Sequence, residues 1–287
     1  MLKFSQWKPY NRIEYNYQLA LLNLLDGFHK MLLRYDITNP NEMIPFLQKY
    51  CSTDFFMDLA STAASRMITG LMVANTQTWK EAASKSMRGK MIYQSLKNEM
   101  NGPVGFHVKQ LIAHNAQLIR TFPDAIAKQV NNYIAEESLK GKRSSEITKQ
   151  LIKQFPEVAN SRIKLIARTE TSKATTELTR ARAENLGLHW YVWKSSKDQR
   201  VRPAHKLMDG VLFNWNDPPN PEALSKGKEK PYGNYAPGST FNCRCYPAPM
   251  IGVEDISWPT KVHINGKIKT MTLVRFLAFN GAERKAA

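Results

Sequence analysis

The residue types that could do chemistry are concentrated in one stretch of the chain, residues 198–245. Its first part carries an acid, two arginines and a histidine, and its second part carries a Cys-x-Cys pair flanked by Asn. The polar and sulfur-bearing side chains are Asp198, Arg200, Arg202, His205, Asp209, Asn242, Cys243, Arg244 and Cys245. Three uses are compatible with this set: metal binding, phosphoryl or glycosyl transfer, and a structural network.

A zinc site would use His205, Cys243 and Cys245, which offer one nitrogen and two sulfur ligands. Three other side chains could supply a fourth ligand: His189, Asp198 and His263. A Cys-x-Cys pair on a strand points both thiols to one side, but zinc sites usually use Cys-x-x-Cys. We therefore expect two reduced cysteines packed as small hydrophobic residues, without a metal or another cofactor. A soluble zinc protein remains an alternative.

An enzyme would use His205 as the general acid or base and Asp198 to orient it. Arg200 and Arg202 would neutralise a phosphate, as a metal-independent nuclease, phosphodiesterase or transferase requires. The sequence shows no second catalytic His or Glu at a recognisable spacing. It also lacks a Gly-rich phosphate loop followed by Lys and Ser or Thr. We therefore expect no enzymatic activity and keep the enzyme as the main alternative.

The structural interpretation, which we favour, is a polar cluster that braces a loop-rich domain. Arg200 and Arg202 alternate on an extended segment, so they could together bind a carboxylate or the carbonyl groups of the long loop. Asp209 begins a tight turn, and Asn242 and Arg244 could tie the far end of the loop to the first turn. The cluster consists of Asp198, Arg200, Arg202, His205, Asp209, Asn242 and Arg244.

Short strands flank these residues. Residues 189–193 consist mainly of aromatic residues and a valine, whose high β-propensity predicts a strand. Residues 211–213 and 244–246 are further candidates, and Asn-Gly within 261–270 predicts a β-hairpin with a type I′ turn. Residues 214–240 are rich in Pro and Gly and predict a long loop, a kind of segment that is usually functional or ordered by assembly.

The rest of the chain is predicted to be helical. Apolar residues at helical spacing predict a helix over 10–35 with one buried face. Residues 54–100 are predicted to be helical, and residues 108–139 to form a helix interrupted near Pro123. The clearest helix is predicted to start at Pro156 and to run through 157–185.

These elements indicate an α+β protein with a mainly helical N-terminal half and a smaller, loop-rich α+β part. We expect a helical domain over 1–140, an α+β domain over 141–260, and a β-hairpin with a C-terminal tail over 261–287. The final residues leave room for that hairpin and tail, and we expect no further domain there.

The charge balance points to a polyanionic partner. The chain has 41 basic and 24 acidic residues, a formal net charge of +17, which favours nucleic acid first. Candidate DNA-contacting residues crowd the predicted helix at 157–185: Arg162, Lys164, Arg168, Lys173, Arg180 and Arg182. An acidic row could instead pair with these arginines locally; it consists of Glu170, Glu177 and Glu184.

The compartment follows from the cysteines and from hydropathy. Three cysteines form no disulfide framework, which indicates a reducing environment. The N-terminus lacks a basic stretch followed by an apolar run, so we expect no secretory signal. The most apolar segment, 19–33, is interrupted by polar residues, so we expect no membrane-spanning helix and no membrane partner.

The order of the motifs in residues 140–250 resembles the Mu F family of phage minor head proteins, also called the phage head morphogenesis domain. A helix is followed by a Trp-rich strand, a charged turn, a Pro-rich loop and a Cys-x-Cys segment. The residues that carry the resemblance are Ala167-Arg168-Thr169-Glu170-Thr171, Asp198-x-Arg200-x-Arg202-x-x-His205, Asp209-Gly210 and Asn242-Cys243-Arg244-Cys245.

The resemblance implies a non-catalytic minor capsid protein of a tailed phage that acts in procapsid assembly. Its expected partners are the portal protein, major capsid or scaffolding proteins, and packaged double-stranded DNA bound through phosphates without base readout. Its expected location is the host cytoplasm during assembly and then the inside of the virion head. We expect the helical half to dock to the portal or the inner shell.

Overall fold

The computed structural model describes residues 4–34, 39–225 and 230–286. The helices are α1 (Asn11–Arg34), α2 (Met43–Cys51), α3 (Asp54–Ser84), α4 (Gly89–Lys97), α5 (Pro103–Arg120), α6 (Phe122–Leu139), α7 (Ser144–Asn185), α8 (Pro203–Met208), α9 (Pro221–Ser225) and α10 (Leu273–Ala286). The strands are β1 (Trp190–Lys194), β2 (Leu212–Asn214), β3 (Tyr246–Pro249), β4 (Thr260–Ile264) and β5 (Lys267–Met271). A helical N-terminal half and a smaller mixed part confirm the predicted α+β class.

Helix α1 confirms the prediction from apolar spacing. The side chains on its inner face recur at steps of three or four and are buried: Tyr17, Leu21, Leu25, Phe28 and Leu32. Burial of such a stripe, rather than intrinsic helix propensity, supplies most of the stability of a helix in a protein. Tyr35, the last residue predicted for this face, lies outside the described residues.

The predicted helix over 54–100 is broken in the structure. Helix α3 ends at Ser84, and α4 begins at Gly89 after a turn. At Gly89 the backbone approaches the carbonyl oxygen of Ala83 so closely that a Cβ atom would clash with it. The break therefore depends on a residue without a side chain.

Pro123 lies at the start of helix α6, whereas Pro156 lies inside helix α7 and does not interrupt it. Helix α6 begins at Phe122 with Pro123 in its first turn, which confirms the predicted interruption. The prediction that a helix starts at Pro156 is wrong, because α7 runs unbroken through this residue. An internal proline removes one backbone hydrogen bond. Phe155 and Ala159 are buried on either side of it, so packing holds the helix together.

The five strands form one mixed sheet in the order β3-β1-β2-β4-β5. Strand β1 pairs antiparallel with β2 and β3, β2 pairs parallel with β4, and β4 pairs antiparallel with β5. The last pair is the predicted hairpin, and Asn265 and Gly266 both adopt positive φ angles in its turn. The strand predicted at 244–246 instead begins at Tyr246, so the Cys-x-Cys pair precedes it.

The chain divides into two compact units made of separated segments. Unit 1 contains residues 1–10, 71–107 and 172–287, and unit 2 contains residues 11–70 and 108–171. The domain boundaries proposed from the sequence at residues 140 and 260 stay predictions.

Unit 1 has an aromatic core around strand β1 of the sheet. Tyr191 of β1 packs against Phe213 of β2 and Trp215, with ring centroids 5.8 and 4.1 Å apart. In unit 2, the rings of Phe28, Tyr50 and Phe56 lie within 5.6 Å of one another. Each unit therefore buries large aromatic side chains of its own, the largest hydrophobic contribution available per residue.

Candidate functional site

The turn after β1 and the short helix α8 bring the polar residues of unit 1 together. The backbone N–H of Ser195 donates to Asp209 Oδ1 at 2.8 Å. The N–H of Gly210, which has a φ of +83°, donates to the carbonyl of Trp193 at 2.8 Å. Asp209 thus lies in the predicted tight turn and holds both ends of the segment that carries α8.

Asp198 is the anchor of the predicted polar cluster. Its carboxylate accepts hydrogen bonds from Arg244 Nη1 at 2.7 Å and from the backbone N–H of Arg200 at 2.9 Å. Arg244 therefore ties the far end of the long loop to the turn after β1. Both side chains of this ion pair are about a third exposed (28% and 32%), so water screens it and its energetic value is small.

The two arginines of the turn have different surroundings. Arg202 Nη2 donates to the carbonyl of Phe241 at 2.8 Å, and its guanidinium lies 5.5 Å from the ring centre of Tyr232. Arg200 has an exposed side chain. The segment is not extended, because the carbonyl of Asp198 also accepts from the N–H of Val201 and closes a turn. The prediction that both arginines act on one group from one side is therefore wrong.

His205 and the two cysteines meet in the interior. His205 Nδ1 lies 3.5 Å from the Sγ atoms of both Cys243 and Cys245. The three side chains are 2–3% exposed. Among the described residues they are the group of ligand-bearing side chains close enough to hold a metal ion.

The other ring nitrogen of His205, Nε2, contacts residues that were not predicted from the sequence. His205 Nε2 lies 2.8 Å from the hydroxyl of Tyr235, which donates to Glu222 Oε1 at 2.5 Å. Tyr235 and Glu222 come from the long loop and from α9. A tyrosine and a glutamate inside a Pro- and Gly-rich loop were the available signal, but no spacing links them to the histidine.

Electrostatics distinguishes the two thiols. The pKa of Cys243 lies well below its usual value, because the Cys245 thiol donates to it and His205 is adjacent, against the effect of burial. The pKa of Cys245 is raised, because its proton is held by Cys243 and the group is buried. Burial and the hydrogen bond to Glu222 raise the pKa of Tyr235, so the phenol is protonated at neutral pH.

The residues considered as a fourth metal ligand or as an orienting acid lie elsewhere. His263 Nδ1 is 3.2 Å from Asp217 Oδ2, and the side chain of His189 is exposed. Asp198 is bound by Arg244 and does not orient His205, whose partner is Tyr235. The constellation required by the enzyme alternative is therefore not assembled.

The predicted DNA-contacting cations on α7 also separate into groups. Arg182 is 2% exposed and pairs with Glu99 at 2.6 Å, so the prediction that it contacts DNA is wrong. A guanidinium at that depth requires a buried carboxylate partner. Arg168 pairs with Glu14, Arg180 pairs with Glu184, and Lys173 Nζ lies 5.9 Å from the ring centre of Phe241. Arg162 lines an apolar pocket, and Lys164 is exposed.

The lengths and hydropathy of the helices bear on whether the chain could cross a membrane. In the described ranges, every helix is too short or too polar to cross a lipid bilayer.

The fold and the site define an α+β domain in which helix α7, a short sheet and a polar loop cluster occur in a set order. Residues 128–247 match the family described as Phage Mu protein F like protein. For this segment, the match confirms the resemblance to the Mu F-like family seen in the motifs.

Two relatives have no described function. An uncharacterized protein of Haemophilus influenzae is 30% identical over 167 residues, which are 58% of this chain and 34% of that protein. An uncharacterized protein of Methanocaldococcus jannaschii is 33% identical over 103 residues, which are 35% of this chain and 16% of that protein. The chain thus spans about a third or less of the length of these relatives. No solved structure matches it.

Proposed function

We propose that this protein is a minor head protein of a tailed phage, acting in procapsid assembly without catalysing a reaction. The observation that carries the proposal is the family match over residues 128–247, the segment that also contains the polar cluster. The contacts of that cluster support a bracing role, since Arg202 and Arg244 bind groups of the chain itself. On this proposal the protein lies inside the head of the virion.

Binding to the portal protein is the first part of the proposal. Unit 2 exposes large apolar side chains on its helices, and such side chains mark protein interaction surfaces when they lie together. Phe55 and Leu59 lie one turn apart on α3 and are 64% and 36% exposed. A partner that covers them would remove both from water.

Co-expression with the neighbouring portal protein tests this part. We expect the two proteins to co-purify, and Phe55→Asp with Leu59→Asp to abolish the complex. The matched control changes Val274 and Leu277, an exposed apolar pair on α10, to Asp. Deletion of residues 1–140 is a poorer test, because it removes residues 71–107 of unit 1. Failure of the unmodified protein to bind the portal would contradict the proposal.

Contact with packaged DNA is the second part. The net charge of +17 supports it, as do exposed lysines on α7 and on the hairpin: Lys164, Lys261, Lys267 and Lys269. The hairpin at 260–271 contains no acidic residue that would neutralise its lysines. Binding through phosphates depends on release of counterions, so the affinity should fall steeply as the salt concentration rises.

Measurement of DNA affinity against salt concentration tests the second part. Replacing the three hairpin lysines by Gln should lower the slope of log affinity against log salt by about one per lost phosphate contact. Lys30→Gln is the control, because Lys30 is already paired with Asp26 at 2.6 Å. A DNA affinity that does not change with salt concentration would contradict this part of the proposal. So would a Lys30→Gln variant that lowers the slope as much as each hairpin lysine does.

A further inference from the structure

We infer that His205, Cys243 and Cys245 form a buried binding site for zinc or a similar thiophilic divalent cation. Soft sulfur and imidazole ligands favour such an ion over magnesium or calcium. The ligands come from helix α8 and from the turn that precedes β3, and they are nearly inaccessible to water. The site does not depend on the proposed role in the phage head.

The distances match the geometry of a tetrahedral ion. With Zn–N near 2.0–2.1 Å and Zn–S near 2.3 Å, tetrahedral angles place a nitrogen and a sulfur roughly 3.5 Å apart. Both distances from His205 Nδ1 to the cysteine sulfurs are 3.5 Å. An ion between the three atoms would therefore need little movement of the ligands. The fourth position is left to a water molecule or another small donor.

The hydrogen bond at His205 Nε2 leaves Nδ1, the nitrogen that faces the two cysteines, available to bind a metal ion. Tyr235 donates a hydrogen bond from its hydroxyl to Glu222 Oε1, so its oxygen is free to accept a hydrogen bond from His205 Nε2–H. Nδ1 then carries the lone pair, and it is this nitrogen that faces the two sulfurs. A histidine ligand whose second nitrogen is fixed by a hydrogen-bond chain ending in a carboxylate is the arrangement that orients metal ligands in proteins.

The ion would join segments that are far apart in the sequence. His205 is 38 residues from Cys243, and the Tyr235–Glu222 chain adds two points of the loop between them. Binding would release the remaining thiol protons to solvent and close this loop. A purely hydrophobic packing of two cysteines would require neither the imidazole lone pair nor the buried carboxylate behind it.

Metal analysis of the full chain tests the inference. The protein is purified without a histidine tag from cells grown with zinc, and its metal content is measured by mass spectrometry. We expect about one zinc per chain, lost in Cys243→Ser and in Cys245→Ser. Cys51→Ser is the matched control, since Cys51 is also buried but lies on α2 in unit 2, and it should keep the metal.

Tyr235→Phe keeps all three ligands and covers the case in which the serine variants fail to fold. It removes the acceptor for His205 Nε2, so zinc affinity should fall about 10- to 100-fold while the metal still binds. Cobalt replacement should give the charge-transfer bands of a thiolate-bound, tetrahedral ion. Three outcomes would overturn the inference: a metal-free chain that also takes up no cobalt, a metal content unchanged in the folded cysteine variants, or a Cys243–Cys245 disulfide in the intact mass.

Discussion

The ion pair between Arg182 and Glu99 should contribute far more to stability than any exposed pair on the same helix. The guanidinium of Arg182 binds both oxygens of Glu99, at 2.8 and 2.6 Å. It also donates to Asn75 Oδ1 and Thr76 Oγ1 at 2.5 and 2.7 Å. We consider Arg182→Met, which keeps much of the apolar volume and removes every one of these donors.

The magnitude follows from burial. The two side chains of the pair are only 2% and 5% exposed, so the substitution leaves the Glu99 carboxylate in the interior without its counter-charge. Removing one member of a buried pair typically costs 3–5 kcal/mol. Arg180→Met is the matched control, because Arg180 lies on the same helix and pairs with Glu184. Those side chains are 35% and 38% exposed, and such pairs are worth about 0–1 kcal/mol.

Urea unfolding followed by tryptophan fluorescence measures the difference. All six tryptophans lie in unit 1, as do Arg182 and Glu99, so the signal reports the unit that is perturbed. With a urea dependence of about 1–3 kcal/mol per molar, the midpoint should fall by roughly 1 M or more in Arg182→Met. It should hardly move in Arg180→Met.

A second substitution separates the lost pair from a simple change in packing. In Arg182→Met with Glu99→Met, no unpaired charge remains, so the double variant should be more stable than Arg182→Met alone. The reasoning is refuted if Arg182→Met and Arg180→Met destabilise unit 1 equally. It is also refuted if the double variant loses the sum of the two single effects.

Three further predictions concern other parts of the chain. Gly238→Ala should destabilise unit 1 by about 1–3 kcal/mol more than Gly233→Ala, measured by urea unfolding. Both glycines have positive φ, but only at Gly238 would a Cβ meet atoms within 3.0 Å; equal losses would contradict this. Cys51 should resist alkylation at pH 8 until the chain is unfolded, because burial raises its pKa to about 12; rapid labelling of the folded protein would contradict it. Burial lowers the pKa of His263, against the opposing charge of Asp217. Below about pH 6.5 the histidine of the unfolded chain is therefore protonated more than that of the folded protein. The free energy of unfolding should fall as the pH drops below that value. His263→Gln should flatten the stability measured against pH, and an unchanged pH dependence would count against this cause.

Much of the secondary structure could be predicted because its causes are local. The spacing of Tyr17, Leu21 and Leu25 predicts the buried face of α1. Asn265 and Gly266 predict the hairpin, because both accept positive φ angles. Each of these signals lies within a few residues of the structure that it specifies. Local signals failed where packing overrode them. Pro156 predicted a helix start, yet α7 continues through it because Phe155 and Ala159 on either side are buried.

The candidate site was predictable in its members but only partly in its contacts. Motif order identified the polar residues and the resemblance to the Mu F-like family, and it paired His205 with the two cysteines as one possible use. It did not identify Glu222 or Tyr235, because a long loop can bring any of its residues to the site. The enzyme alternative had Asp198 orienting His205, whereas Arg244 binds that carboxylate.

The amino-acid sequence by itself determined most of the helical and strand segments, the basic character and the resemblance to the Mu F-like family, because these depend on residue types and short spacings. Only the tertiary structure decided that His205 meets two sulfurs through one nitrogen and Tyr235 through the other. Only the tertiary structure, too, decided that Arg182 is an interior cation and not a DNA contact. Both outcomes depend on which side chains are buried together, and burial of a charge or a lone pair is tolerated only beside a partner that can be tens of residues away in the chain.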